Sequence, residues 1–156
     1  MKVILVSDSH GFTDNIIEAI EKEPDCDTIF FLGDGISDIE KCIVHYPQKK
    51  FFCVKGNNDY WDKKHDIVAY KYLEGNTIVY THGHTFDVRR TLSDLADHAQ
   101  SVMAGVAFYG HTHKADIYYD GYKKVYMVNP DAISSGNYAV VTLNEKGADA
   151  KLKTIF

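Results

Sequence analysis

Lys2-Val3-Ile4-Leu5-Val6-Ser7-Asp8-Ser9-His10-Gly11 is an apolar run that stops on a carboxylate, a hydroxyl and an imidazole. Val, Ile and Leu in unbroken succession read as a strand buried on both faces, so layers must cover it from either side. The next segments repeat the design. Thr13 reads as a helix N-cap, with Ile16, Ile17 and Ile20 on one face up to Lys22 and Pro24 as the stop. Thr28 to Leu32 is a second apolar strand, ended by Gly33-Asp34-Gly35. A second helix is predicted from Ser37 to Tyr46, with Ile39, Ile43 and Val44 inward and Pro47 beyond it. Phe51 to Val54 is a third strand, ended by Gly56-Asn57-Asn58-Asp59. The order β-α-β-α-β implies parallel strands joined by right-handed crossovers.

Past Asp59 hairpins take over. Ile67–Tyr72 and Thr77–Tyr80 flank Glu74-Gly75-Asn76. A helix is predicted from Leu92 to Met103, capped by Thr91 or Ser93, and then a strand from Val106 to Tyr109. Ile117–Tyr119 and Val125–Val128 flank Asp120-Gly121, a strong hairpin signal. Tyr138–Leu143 and Ala148–Ile155 form a last hairpin. The expected fold class is therefore α/β, a two-sheet β-sandwich flanked by helices, with residues 1–156 as one domain.

Composition bounds the function. The 156 residues are 45% hydrophobic and 25% charged, the balance of a soluble globular protein that needs no disulfides. No apolar run approaches the roughly 18–20 residues of a membrane span, and the N-terminus turns polar too early for a signal peptide. The cytoplasm is the expected location. Lysine plus arginine is 17 and aspartate plus glutamate is 22, so 17 − 22 gives −5, and the basic pairs are scattered. Duplex nucleic acid is accordingly not an expected partner, nor is a membrane. Cys26, Cys42 and Cys53 are odd in number and lack a C-x-x-C, so they read as core thiols.

The polar residues fall where chemistry is usually placed. Asp8-Ser9-His10, Gly33-Asp34, Gly56-Asn57-Asn58-Asp59, His82-Gly83-His84 and Gly110-His111-Thr112-His113 each end a predicted strand. Carboxyl ends of strands in α/β sheets are where ligands bind. Five of the eight histidines (His10, His82, His84, His111 and His113) sit in these tips. Carboxylate, amide and imidazole gathered this way suit divalent metals of borderline hardness. Each tip alone is a weak signal; the ordered set is a strong one.

That ordered set, D-x-H, G-D, G-N-x-D, H-G-H and G-H-x-H, resembles the calcineurin-like metallophosphoesterase superfamily from Val3 to about Pro130. The short chain is similar to the small bacterial and archaeal phosphodiesterase subfamily. Asn129-Pro130 stands where that subfamily has N-P-G-S, with Asp131 replacing the glycine, so the turn is expected to differ. The resemblance implies two divalent metals. Asp8, His10, Asp34 and His113 would hold one; Asp34 would bridge to a second held by Asn57, His82 and His111. It further implies hydrolysis of a small phosphoester by a hydroxide bridging the metals, without a covalent enzyme intermediate. Nitrogen and oxygen ligands without thiolate make manganese the expected metal, with loose selectivity towards nickel, cobalt, zinc or iron.

Other positions have two readings each. His84 either hydrogen-bonds the substrate phosphate or orients a ligand, or it is a solvated loop histidine. Asp59 either fixes a neighbouring side chain or caps a turn. Asn58 stands where larger relatives in the superfamily carry a histidine that assists the leaving oxygen; an amide cannot deliver a proton near pH 7. Ser9 and Thr112 read as local hydrogen-bonders, and Asp14, Asp38 and Glu40 as solvated acids of helix first turns. Arg89-Arg90 either meets a substrate anion or is solvated. Tyr60-Trp61 either walls the pocket or packs in the core, and core packing is the expectation. The 11 tyrosines are expected to pack between sheets or between subunits of a homo-oligomer. Phosphodiesterase activity leads; a phosphomonoesterase on the same site, or a non-catalytic scaffold like the retromer subunit of this fold, are the alternatives.

Overall fold

The apolar run after Met1 forms β1 (Lys2–Val6), and every residue of it beyond Lys2 is buried. In the computed structural model, which describes residues 1–156, it is followed by α1 (Thr13–Lys22), β2 (Thr28–Phe31), α2 (Ile36–His45) and β3 (Lys50–Cys53). Then come β4 (Val68–Leu73), β5 (Asn76–Thr81), α3 (Ser93–Ser101) and β6 (Val106–Phe108). Two hairpins complete the chain: β7 (Asp116–Asp120) with β8 (Val125–Asn129), and β9 (Asn137–Asn144) with β10 (Gly147–Thr154).

Two five-stranded mixed sheets result. The first has the order β10-β9-β1-β2-β3 and the second β4-β5-β6-β8-β7. β1, β2 and β3 run parallel, as do β5, β6 and β8; the hairpin strands pair antiparallel at the flanks. Strand alternation sorts the core. Val3, Leu5 and Phe30 face the space between the sheets, where Ile78, Val106, Phe108 and Val141 meet them. Ile4, Val6, Ile29 and Phe31 point the other way, onto Ile16, Ile20, Ile36 and Ile39 of α1 and α2. Val79, Ala107 and Met127 likewise turn outward to Leu95, Ala96 and Ala99 of α3. The layers are therefore helix, sheet, sheet, helix, as expected. Phe30 anchors the centre, with the rings of Phe52, Tyr80 and Phe108 at 5.2, 5.0 and 5.2 Å. Such pairs each add about 0.5–1.5 kcal/mol beyond their buried area.

Several local expectations need correction. Val44 is 81% exposed and Ile43 lies at the surface, because Ile36, Ile39 and Cys42 define the inward face of α2. Five residues beyond Ile39, Val44 stands roughly 140° around the helix from it. Thr13 lies inside α1 rather than at its N-cap, which Phe12 occupies, and its hydroxyl donates instead to Asp38 at 2.8 Å. Leu92 holds the N-cap position of α3, although the Thr91 hydroxyl accepts from the Ser93 N–H. Asp131 adopts φ 71°, the region its glycine counterpart would favour. Its carboxylate accepts from the Ala132 N–H and the Asn137 amide, which stabilises that turn without a glycine. Cys26 and Cys42 are buried and Cys53 is half-buried; all are free thiols. No helix is long and apolar enough to cross a membrane.

Candidate metal centre

The parallel strands of both sheets deliver their carboxyl ends to one edge, and backbone bonds join them there. Asp8 N–H donates to the Gly33 carbonyl, His10 N–H to that of Asp34, and Gly110 N–H to that of His82. Five of the ten non-glycine residues with positive φ are Asp8, His10, Asp34, His111 and His113. Strained backbone persists only where the surroundings enforce it, and here it marks the loop tips. Two glycines allow the close approach. A Cβ on Gly56 would lie 2.1 Å from Asp34 Oδ1, and one on Gly110 2.1 Å from Ser7 Oγ and 3.0 Å from Asp8 Oδ2.

Asp8, Asp34 and His82 form a buried floor, with side-chain exposures of 1%, 3% and 0%. Each is aimed by its own partners. Asp8 Oδ2 accepts from the Ser7 hydroxyl at 2.5 Å and the His111 N–H at 3.1 Å, leaving Oδ1 free to face the histidines. His113 Nε2 lies 3.0 Å from that oxygen, His10 Nε2 3.5 Å and His82 Nε2 3.8 Å. Asp34 accepts the Asn58 N–H at Oδ1 and the Asn58 amide at Oδ2. His82 Nδ1 donates to the Leu32 carbonyl at 2.7 Å, so in the neutral ring Nε2 carries a lone pair. That nitrogen is 3.3 Å from Asp34 Oδ2 and 3.1 Å from His111 Nδ1. Across the mouth, His10 Nε2 and His113 Nε2 are 3.3 Å apart.

These spacings fit a metal. Two bonds of about 2.0–2.1 Å meeting at roughly 90–110° put their donor atoms about 2.9–3.4 Å apart. Asp8, His10 and His113 form one set of candidate ligands, and Asp8, Asp34 and His82 another. Asp8 is common to both, whereas Asp34 was the expected bridge; Asp34 Oδ2 also reaches His10 Nε2, at 3.9 Å. Asn57 is exposed, and it is the amide of Asn58 that bonds Asp34. Asp62 and His65 with Glu40 form a third acidic group, whose Asp62 Oδ2 is already taken by the His65 backbone and ring.

Charge follows geometry. Burial works to raise the Asp34 carboxyl, but the hydrogen bonds from His82 and Asn58 reverse this and hold it well below the usual carboxylate range. Burial likewise disfavours protonated His82, and the Asp34 hydrogen bond with the nearby Asp8 charge raises it instead. Burial, His82 and Arg89 push His111 down to about 4. His84 is lowered by burial and by His82. Its Nδ1 is buried with no hydrogen-bond partner, and its ring centroid lies 5.5 Å from that of His82.

Asp59 is buried and accepts the N–H groups of Asp34, Gly35, Ile36 and Gly56, clamping the second and third loops together at the start of α2. Asp38 is not a solvated helix acid: it is buried and accepts from the Ser9 hydroxyl, the Gly11 N–H and the Thr13 hydroxyl, which fixes the loop carrying His10. Thr112 accepts from the buried Asn129 amide, which also bonds the Gly110 carbonyl. Arg89 donates to the His111 carbonyl at 3.4 Å, while Arg90 pairs with Asp87 at 2.7 Å. Tyr60 and Trp61 are 84% and 51% exposed rather than in the core, and Trp61 borders a cleft that His10, Asp34 and Asn58 share. Ser7, Asp38 and Asn129 as positioning residues were not foreseen; only the N-P dipeptide after β8 signalled one of them.

The profile described as "Calcineurin-like phosphoesterase superfamily domain" matches residues 1–146. A probable metallophosphoesterase of Bacillus subtilis (strain 168), YsnB, is 27% identical over 158 residues, covering 97% of this chain and 89% of that protein. A predicted phosphoesterase of Streptococcus pneumoniae TIGR4 superimposes with a TM-score of 0.82 at 26% identity, over 99% of this chain and 89% of the other. A Vps29 mutant of Entamoeba histolytica shares the fold, with a TM-score of 0.79 at 15% identity over 99% of both chains.

Proposed function

The chain belongs to the calcineurin-like phosphoesterase superfamily, and from that premise we propose that it is a metal-dependent phosphodiesterase acting on a small phosphoester. One observation carries the proposal. Two carboxylate oxygens and four imidazole nitrogens converge at 3.0–3.9 Å, and the His82 nitrogen among them carries a lone pair in the neutral ring. Such a donor set is satisfied by cations. Asp8, His10 and His113 would hold one, and Asp34, His82 and His111, with Asn57 as a further candidate ligand, a second; Asp34 is within reach of both sets. Manganese suits these ligands. When bound, paired dications polarise phosphoryl oxygens and lower the pKa of water, which supplies the nucleophile and offsets the anion's charge.

The chain's own residues do the rest. Asp8 and Asp34 are prevented from rotating by Ser7, the His111 N–H and Asn58. His82 is locked in one tautomer by Leu32. His84 packs beside His82, with ring centroids 5.5 Å apart and its Nδ1 buried, so it is placed to orient that ligand. Burial and the neighbouring His82 lower the pKa of His84, which disfavours its protonated form as a proton donor. Asn58 can donate hydrogen bonds but cannot deliver a proton near pH 7. General acid catalysis is typically worth 10²–10⁴-fold, so weak protonation of the leaving group favours activated aryl diesters.

The test is hydrolysis of a series of substituted aryl diesters, with and without chelator, by wild type and His84→Ala. Activity should vanish on chelation, return with Mn²⁺, and fall steeply as leaving-group pKa rises. A flat dependence in wild type that turns steep in His84→Ala would make His84 the acid. Hydrolysis that survives careful demetallation would refute the proposal.

A further inference from the structure

We infer that Trp61 is a stacking platform for a planar ring carried by the substrate, making the ligand an aromatic phosphoester such as a mononucleotide. The inference rests on the phosphoesterase reading of the metal centre and adds its substrate class. Trp61 borders a cleft of about 230 Å³ whose other walls include His10, Asp34 and Asn58, so it shares space with the metal-binding side chains themselves. The lining is otherwise polar, with Trp61 as its one large apolar surface. Pockets that enclose drug-sized ligands hold roughly 300–1,000 Å³, so this cleft suits a single ring system.

The turn that carries the indole is also held in place. Residues on either side of it are pinned by buried carboxylates: Asp59 accepts four backbone N–H groups, and Asp62 accepts the His65 N–H and ring. Asp62 N–H bonds the Asp59 carbonyl, and Lys55 Nζ bonds the Asp62 carbonyl at 2.6 Å. Against such a rigid turn, a tryptophan that stays 51% exposed contributes little to the core. Rigid exposed aromatics beside a phosphate site serve stacking, which any ring supplies because every base has a π-face. The net charge of −5 argues against a long polyanion and for a small ligand.

Trp61 is the only tryptophan, so its fluorescence reports on this cleft alone. The experiment titrates the metal-loaded protein, and again the chelated protein, with AMP, phenyl phosphate and ribose 5-phosphate. Saturable change with AMP or phenyl phosphate but not with ribose 5-phosphate is the expected result. AMP and phenyl phosphate together separate a nucleobase from a smaller aryl ring. In parallel, Trp61→Ala should raise KM for an aryl diester about 5- to 150-fold, the range of base–aromatic stacking, with Trp61→Phe close to wild type and competitive inhibition by ribose 5-phosphate unaffected. Equal responses to all three phosphates, or an unchanged KM for the aryl diester in Trp61→Ala, would overturn the inference. Ring-selective quenching without any diester hydrolysis would uphold Trp61 and sink the proposed activity; hydrolysis without ring selectivity would do the reverse.

Discussion

Asp8, Asp34 and His82 are almost inaccessible, whereas His10 and His113 expose 33% and 44% of their side chains. Floor and rim also differ in what holds them. Each floor residue has a dedicated hydrogen-bond partner outside the cluster: Ser7 for Asp8, Asn58 for Asp34, Leu32 for His82. The rim imidazoles are aimed through their loops, which Asp38 and Asn129 tie down from behind. The floor is therefore preorganised by fixed side-chain partners, and the rim by the loops that carry it. Outer partners of this kind usually cost 10–100-fold in metal affinity or activity when lost.

The largest effect should come from breaking the floor. Asp34→Asn removes a carboxylate within reach of both His10 and His82, and is expected to lower activity by more than about 10²-fold, beyond what an outer partner costs. Metal content of the purified variant should fall in step; full occupancy with full activity would show that Asp34 is not a ligand. Loosening the rim should cost less. Asp38→Ala strands two hydroxyls and the Gly11 N–H, so activity should fall about 10–100-fold, and stability by about 1–3 kcal/mol in denaturant melts. An Asp38→Ala protein with wild-type activity would mean that the His10 loop needs no such support.

A smaller effect concerns pH in the metal-free protein. His111 is pushed down to about 4 when folded, against about 6.5 unfolded. Between those values the unfolded chain binds more protons, so stability falls as pH drops from about 6.5 towards 4 and the penalty is absent above that window. His82, shifted upward, works in the opposite sense. His111→Ala should therefore flatten the acid side of the melting profile. An unchanged profile would show that the folded protein does not disfavour protonated His111.

Much of this was legible in the chain itself. Unbroken apolar runs such as Val3–Val6 announce doubly covered strands, and the motif residues at their ends follow from the rule that ligands bind at carboxyl ends. What could not be read depends on distant partners. Asp38 looks like any helix first-turn acid until Ser9, 29 positions earlier, is brought onto it. Ser7 has no distinguishing mark in sequence, because its role depends on the rotamer of Asp8. Val44 sits in an apolar pair with Ile43, and only the true phase of α2 shows that it points to solvent. Trp61 is apolar and large, so composition assigns it to the core; the two carboxylates that pin its turn hold it at the cleft instead.

Metal stoichiometry tests the central claim most directly. Protein saturated with Mn²⁺, freed of excess and analysed for metal per chain should retain two ions. His10→Ala should lose the rim ion and keep the one held by the floor. No retained metal, together with diester hydrolysis unaffected by demetallation, would contradict the account.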